Sequence, residues 1–457
     1  MAAARQARIG GVQPHPLSFS TASGEARQHM PRHRLIFGLF LLTTVLRARM
    51  ADAAPDAFPP ACAFPDGSRP PALRATLEKL TAGQPVTVVC LGDSVTGVYY
   101  HTGGRRAYPE MLELALRAAC EQARVRVLNA GISGHKSADG LKRLQSDVLD
   151  HHPDLVTVMF GLNDLTALPL ADFRANLTEI AQRCRAADAA VILCTPNSVI
   201  DTPGRPIPKL VEYCQAVQEV AAKQQIPVCD VYGAFETVRT RNPLAWRLLL
   251  SDEIHPNMDG HKLTAETLCR TITGRDVSLR EVGPPQPLLP KMQAMVKAGR
   301  PVRVLAMEPL DLLVAPAIRA VLPAAVVEVQ PWPTAGQTLA QIEAAAQRVR
   351  QAPPDLVVIA IPASVTPADQ SPSEESIRTH SWILNWSLSF GRQEWDVVVV
   401  APSVFSPDPT PAEQAADAFS RKMGHAQDLP VVARQPGDSS PPACILEAWF
   451  RTQCAFP

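Results

Sequence analysis

Charge of one sign is not in excess in this chain: 44 Lys and Arg stand against 44 Asp and Glu, with no block of like charge. A grip on a nucleic-acid backbone needs a basic patch or stripe, so that class of function has no electrostatic footprint here. The one conspicuous apolar run, residues 35–46 (LIFGLFLLTTVL), is too short for a comfortable transmembrane helix of roughly 20 residues. Glycine, at 24 residues, is outnumbered by proline at 44, and aromatic residues make up 5%, which suggests stiff connections rather than Gly/Ser tethers. There is no Gly-x-Gly-x-x-Gly and no P-loop, so no nucleotide cofactor is indicated. His151-His152 and the pair His255/His261 show no zinc spacing beside cysteines or carboxylates, so no metal is expected. Ten cysteines in a chain of this length do not make a disulfide scaffold.

What is present is 46% hydrophobic residue over 457 positions, enough for two or three domains at about 100 to 200 residues each. Arg32 and Arg34, the apolar run and Ala51-Asp52-Ala53 form the pattern of a secretory signal with cleavage near Ala53. Arg47 and Arg49 are irregular for that reading, and an uncleaved N-terminal anchor is its alternative. Removal of residues 1–53 would take away seven Arg and two acidic residues and leave the rest mildly acidic. All ten cysteines lie beyond that site. Cys90, Cys194 and Cys229 read as small buried hydrophobes, whereas Cys62, in a Cys-Ala-Phe-Pro tetrapeptide repeated at Cys454, is a candidate for a bridge to Cys454 or Cys444.

Beyond residue 85 short β-branched runs alternate with amphipathic stretches. Strands are predicted at 86–91, 125–129, 155–160, 190–194 and 226–230, with helices between them, which implies a parallel sheet covered on both faces. The stretch Val282-Gly-Pro-Pro-Gln-Pro-Leu-Leu-Pro290 breaks the pattern and reads as a linker. A second pass through the same order follows. Ala82-Gly-Gln-Pro-Val-Thr-Val is echoed by Ala298-Gly-Arg-Pro-Val-Arg-Val, Pro153-Asp-Leu-Val by Pro354-Asp-Leu-Val, and Ile226-Pro-Val by Leu429-Pro-Val. Residues 125–134 are echoed by 327–336, and the strand ending at Cys194 by 395–401. Five echoes in one order point to an internal duplication rather than a repeat array. The expected fold class is therefore α/β, with two three-layer α/β/α domains, each built on a flavodoxin-like parallel sheet of about five strands. The expected boundaries are 1–53 for the extension and leader, 70–275 for the first domain, 276–297 for the linker and 298–457 for the second domain.

Chemistry-bearing residues collect at the ends of the first domain's strands. Strand one runs into Gly92-Asp93-Ser94, the rim where open α/β sheets bind ligands. Asn129-Ala-Gly-Ile-Ser-Gly134 follows strand two, Gly161-Leu-Asn-Asp164 follows strand three, and Asp252-Glu-Ile-His255-Pro256-Asn257 closes the domain. Singly these are a common turn, a loop glycine, a turn asparagine and a surface histidine; together they make a complete acyl-transfer set. Here the residues resemble the SGNH (GDSL) hydrolase family, whose four signature blocks occur in family order over roughly residues 84–272. The resemblance implies Ser94 as nucleophile, His255 and Asp252 as the rest of a triad, and Ser94, Gly134 and Asn163 as the oxyanion hole. These roles also fit the chemistry. A serine hydroxyl needs a base, histidine has the intrinsic pKa for that work, and a carboxylate three residues away can orient the imidazole. Asp93 and Asp164 read as loop-fixing residues.

The loop after the nucleophile, 98–109, offers Tyr99, Tyr100, His101, Arg105 and Arg106, either as a substrate lining or as packing for the loop itself, and His135 follows Gly134, either against substrate or facing solvent. With export, this polar-aromatic lining favours removal of small acyl groups, acetyl among them, from a small-molecule or glycan ester over a long acyl chain. The alternatives are a lipase or thioesterase, and a non-catalytic carbohydrate-binding or scaffold protein. In the second copy Glu308-Pro309-Leu310 replaces Gly92-Asp93-Ser94, Ser364 falls opposite Asn163, and Gly336 falls opposite Gly134. A second Gly-Asp-Ser, Gly437-Asp438-Ser439, aligns with the Asp252 block and places Pro441 on His255. The second domain is thus expected to lack catalysis.

Overall fold

Two five-stranded sheets, every pairing in them parallel, account for the ten strands among the described residues, which in this computed structural model are 69–368 and 372–454. The expected leader, its cleavage step near Ala53 and Cys62 lie outside them. The first sheet contains β1 (Pro85–Gly92), β2 (Arg124–Gly131), β3 (Leu155–Met159), β4 (Ala190–Cys194) and β5 (Val228–Cys229) in the order β2-β1-β3-β4-β5. The second contains β6 (Val302–Met307), β7 (Val327–Trp332), β8 (Leu356–Ile359), β9 (Asp396–Val400) and β10 (Val431–Val432), ordered β7-β6-β8-β9-β10. Each is flanked by helices, giving two α/β/α lobes. Interior strands such as Ala190–Cys194 and Asp396–Val400 are buried at every position, as both faces of a covered parallel sheet require. Proline is tolerated in Val327–Trp332 because that strand is at a sheet edge.

The two sheets also share their register. Val86 pairs with Val125 and Val302 with Val327; Val88 pairs with Leu155 and Val304 with Leu356; Cys194 pairs with Cys229 and Val400 with Val432. Each pair lies at the offset of the corresponding sequence echo. The repeated Pro-Asp-Leu-Val has a structural reason. Asp154 Oδ2 accepts the Thr87 N–H at 2.8 Å, and Asp355 Oδ2 accepts the Arg303 N–H at 3.0 Å, so each carboxylate locks the start of its first strand to the third.

The predicted linker 276–297 is shorter in the structure. Residues 290–297 form the helix Pro290–Lys297, with proline at its start and Met292 and Met295 buried in the second core. It leads into β6 as the helix Pro71–Thr81 leads into β1. Cys444 is exposed and Cys454 buried, and neither is bonded to another described cysteine; Cys62, their expected bridge partner, lies outside the described residues.

Each lobe has its own apolar core, but Tyr100 and Leu248 of the first lobe are buried in the second core. Polar ties accompany them. Arg106 meets Asp428 through two contacts of 2.6 and 2.8 Å, and Arg247 Nε meets both oxygens of Glu374 at 2.7 Å. Ser251, Asn385 and Gln427 form a buried cluster. No helix of the described residues is long and apolar enough to cross a membrane.

Candidate active site

The carboxyl end of β1 delivers Ser94 to the sheet rim. Asp93, just before it, is buried and turns the chain by accepting the Val95 N–H on Oδ1 at 2.9 Å; burial pushes its pKa up to about 6. Asp164 acts as a similar brace between two loops, accepting the N–H groups of Ser137 at 2.8 Å and Gly161 at 3.1 Å. Both carboxylates therefore fix loops, as their positions suggested. Asn257 caps the helix Met258–Thr273 by accepting the Gly260 N–H and donates its amide to the Leu248 carbonyl at 2.8 Å, which pins the loop bearing Asp252 and His255.

The geometry brings the predicted trio together. Ser94 Oγ lies 2.9 Å from His255 Nε2, and His255 Nδ1 lies 2.8 Å from Asp252 Oδ2. Asp252 Oδ1 accepts the N–H groups of Ile254 and His255, both at 2.8 Å, and Oδ2 also accepts the Tyr100 hydroxyl at 2.7 Å. Burial opposes the charge on Asp252, but the His255 charge and these hydrogen bonds hold its carboxyl well below the usual range. Burial likewise opposes a charge on His255, yet the Asp252 carboxylate outweighs it and raises the imidazole pKa.

The three donors expected for an oxyanion lie on the loops that follow β1, β2 and β3. The backbone N–H groups of Ser94 and Gly134 have no hydrogen-bond acceptor among the described residues. Gly134 takes φ +76°, a left-handed conformation that favours glycine and aims this loop. The Asn163 amide donates to the His135 carbonyl at 3.0 Å. Arg205 was not singled out in the sequence. It projects from the loop after β4 and donates Nη2 to Asn163 Oδ1 at 3.3 Å, while its charge acts on both Asp93 and His255. An arginine in the loop that leaves a strand's carboxyl end is the signal that could have found it.

The residues expected to line the substrate are placed differently. Tyr100 and His101 are buried. The His101 ring stacks on His255, with centroids 4.6 Å apart, and on His261 at 5.4 Å; burial and the neighbouring histidines push the His101 pKa well below its ordinary value. Tyr99 accepts the Ser133 N–H on its hydroxyl at 2.7 Å and so braces the loop of Gly134. Arg105 donates to the carbonyls of Pro285 and Pro287 in the inter-lobe segment. Tyr100 is thus held by the second lobe, His101 by histidines of its own lobe and Arg105 by the inter-lobe segment, so these three do not form an open lining. His135 is half-buried, and its backbone carbonyl accepts the Asn163 amide at 3.0 Å.

In the second lobe the equivalent crevice is a cavity of about 320 Å³ lined by Glu308, Pro309, Ala360, Pro402, Ser403 and Phe405. Glu308 Oε2 accepts the Thr334 N–H at 3.1 Å, and no histidine lines the cavity. Gly437-Asp438-Ser439 is a turn between β10 and the helix Pro442–Gln453, in which Asp438 Oδ1 accepts the Ser440 N–H at 2.8 Å.

Residues 90–263 match the model of the GDSL-like Lipase/Acylhydrolase family. Over 172 residues the chain is 29% identical to an acetylxylan esterase of Geobacillus stearothermophilus, a match spanning 34% of this chain and 76% of that protein. Over 140 residues it is 33% identical to Esterase TesA of Pseudomonas aeruginosa, spanning 30% of this chain and 66% of that protein. The solved lipase/acylhydrolase from Enterococcus faecalis is 32% identical, with a TM-score of 0.36, covering 42% of this chain and 97% of that one. Through the segment 90–263 the chain belongs to the GDSL-like lipase/acylhydrolase family, also known as the SGNH hydrolases, and is a carboxylic ester hydrolase.

Proposed function

We propose that Ser94 is the nucleophile of a serine esterase whose base is His255, oriented by Asp252. The observation that carries this reading is the unbroken chain Ser94 Oγ, His255 Nε2, His255 Nδ1, Asp252 Oδ2, with links of 2.9 and 2.8 Å. His255 takes the Ser94 proton as Oγ attacks the ester carbonyl. The oxyanion forms among the Ser94 and Gly134 N–H groups and the Asn163 amide. Collapse breaks the bond to the alcohol oxygen, which leaves with the proton from His255. Water then repeats the sequence on the acyl-enzyme and releases the acid.

The substrate class we propose is a small acyl group, acetyl first, on a carbohydrate. Support comes from the relative named acetylxylan esterase and from Arg205, which brings a guanidinium to Asn163. The second lobe is an eroded copy of the first, on the grounds of shared strand order, shared register and Glu308-Pro309-Leu310 in the place of the nucleophile turn. Export of the mature chain is part of the same proposal; N-terminal sequencing of protein recovered outside the cytoplasm should begin near residue 54.

Ser94→Ala tests both lobes at once. Turnover of a chromogenic acetyl ester should fall by at least about a thousandfold, and fluorophosphonate labelling should vanish. Substantial residual turnover would mean another nucleophile. A panel of acetylated glycans and long-chain esters tests the acyl group, and preference for long chains would replace the acetyl reading with a lipase or thioesterase.

A further inference from the structure

Asp252 is held from two directions. Its own loop supplies the Ile254 and His255 N–H groups to Oδ1, and Tyr100 supplies a hydroxyl to Oδ2, the same oxygen that faces His255 Nδ1. Tyr100 in turn belongs structurally to the second lobe. Its ring stacks on Trp382, with centroids 6.0 Å apart and planes 30° apart, and the Arg350 guanidinium lies 5.2 Å from its centre. Its N–H donates to the Phe390 carbonyl at 3.1 Å. Ser251, the neighbour of Asp252, is fixed by the same lobe: its hydroxyl donates to Asn385 Oδ1 at 2.9 Å, its carbonyl accepts the Asn385 amide at 3.2 Å, and Gln427 donates to its Oγ at 2.8 Å.

We propose that the second lobe is the positioning element of the hydrolytic site, acting through Tyr100 on the Asp252 carboxylate and through Asn385 and Gln427 on Ser251. The inference rests on the reading of Ser94, His255 and Asp252 as the triad. Tyr100 is a positioning residue: its hydroxyl meets the Asp252 carboxylate and makes no hydrogen bond to Ser94 or His255. A buried carboxylate oxygen shared by two donors has its orientation set by both, and the imidazole follows that orientation. The phenol also draws off part of the carboxylate's charge. Without it, Asp252 would stabilise the His255 imidazolium more strongly, and a higher pH would be needed to free the base. An eroded copy that has lost its own chemistry thus retains a function in that of its partner lobe.

The test is Tyr100→Phe in the full chain, which keeps the ring on Trp382 and removes only the hydroxyl. Its thermal unfolding should stay close to that of the native chain. We expect kcat to fall roughly ten- to a hundredfold with KM little changed, and the acid limb of kcat/KM to move to higher pH. Asn385→Ala, across the lobe boundary, should also lower kcat at unchanged KM. A Tyr100→Phe enzyme with native kcat, or one with reduced kcat and an unmoved acid limb, would overturn the inference. Failure of the triad reading would show separately: the native chain would then neither hydrolyse esters nor take fluorophosphonate on Ser94, and the inference would fall with it.

Discussion

His101 lies face to face on His255, the two rings 4.6 Å apart and 6° from parallel. Two imidazolium ions cannot share that stack, and the environment separates them. Burial, followed by the charges of His255 and His261, holds His101 neutral, while the Asp252 carboxylate overcomes burial and favours a charge on His255. A proton arriving on His255 during attack therefore meets a neutral ring on one side and a carboxylate on the other.

The sign of the pH dependence follows. His255 must be neutral to act as base, and its pKa is raised above the ordinary histidine value of about 6.5. The rate should fall as pH drops through a single ionisation above that value. A pH profile of kcat/KM for an acetyl ester checks it; two ionisations, or one below about 6, would contradict the assignment. Asp252→Asn should cost roughly a thousand- to ten-thousandfold in kcat and move the limb downward.

In the proposed mechanism Asn163 is a donor whose bond strengthens as charge develops on the ester oxygen. Asn163→Ala should lower kcat by about a hundred- to a thousandfold with KM nearly constant. Steady-state kinetics read the split directly. A rise in KM at constant kcat would instead make Asn163 a substrate-binding residue.

Gly103 and Gly104 both have φ above +70°, and a Cβ on Gly103 would lie 2.6 Å from the Gln427 carbonyl oxygen. Gly103→Val should destabilise the chain by about 1–3 kcal/mol through backbone conformation, and more through this close approach. Urea unfolding measures the loss. The same variant should lower kcat, because its loop carries Tyr100.

Arg106 and Asp428 form an ion pair across the lobes, with side-chain exposures of 11% and 2%. Burial raises the Asp428 pKa despite its partner, so desolvation is the larger effect there. Asp428→Asn leaves a largely buried guanidinium without its charge partner, and a loss of about 3–5 kcal/mol is expected. Thermal unfolding checks it; a change under about 1 kcal/mol would show that water reaches the pair.

The sequence by itself determined the alternation of strand and helix, the four blocks of the site and the correspondence of the two lobes. Each rests on a short window: a β-branched run such as Val397 to Val400, a turn such as Gly92-Asp93-Ser94, or an aspartate such as Asp154 bonded to the neighbouring strand. Register followed because echoes such as Val86 and Val302 keep their spacing from Val125 and Val327. Only the tertiary structure decided what the loop 98–109 does. Tyr100, His101 and Arg105 carry groups that suit a sugar in an open mouth, yet Tyr100 packs on Trp382 and Phe390, His101 on His255 and His261, and Arg105 bonds to Pro285, about 150 to 290 positions away. Burial and hydrogen bonding depend on partners brought together by packing, and a side chain's composition does not record which neighbours will exclude water from it.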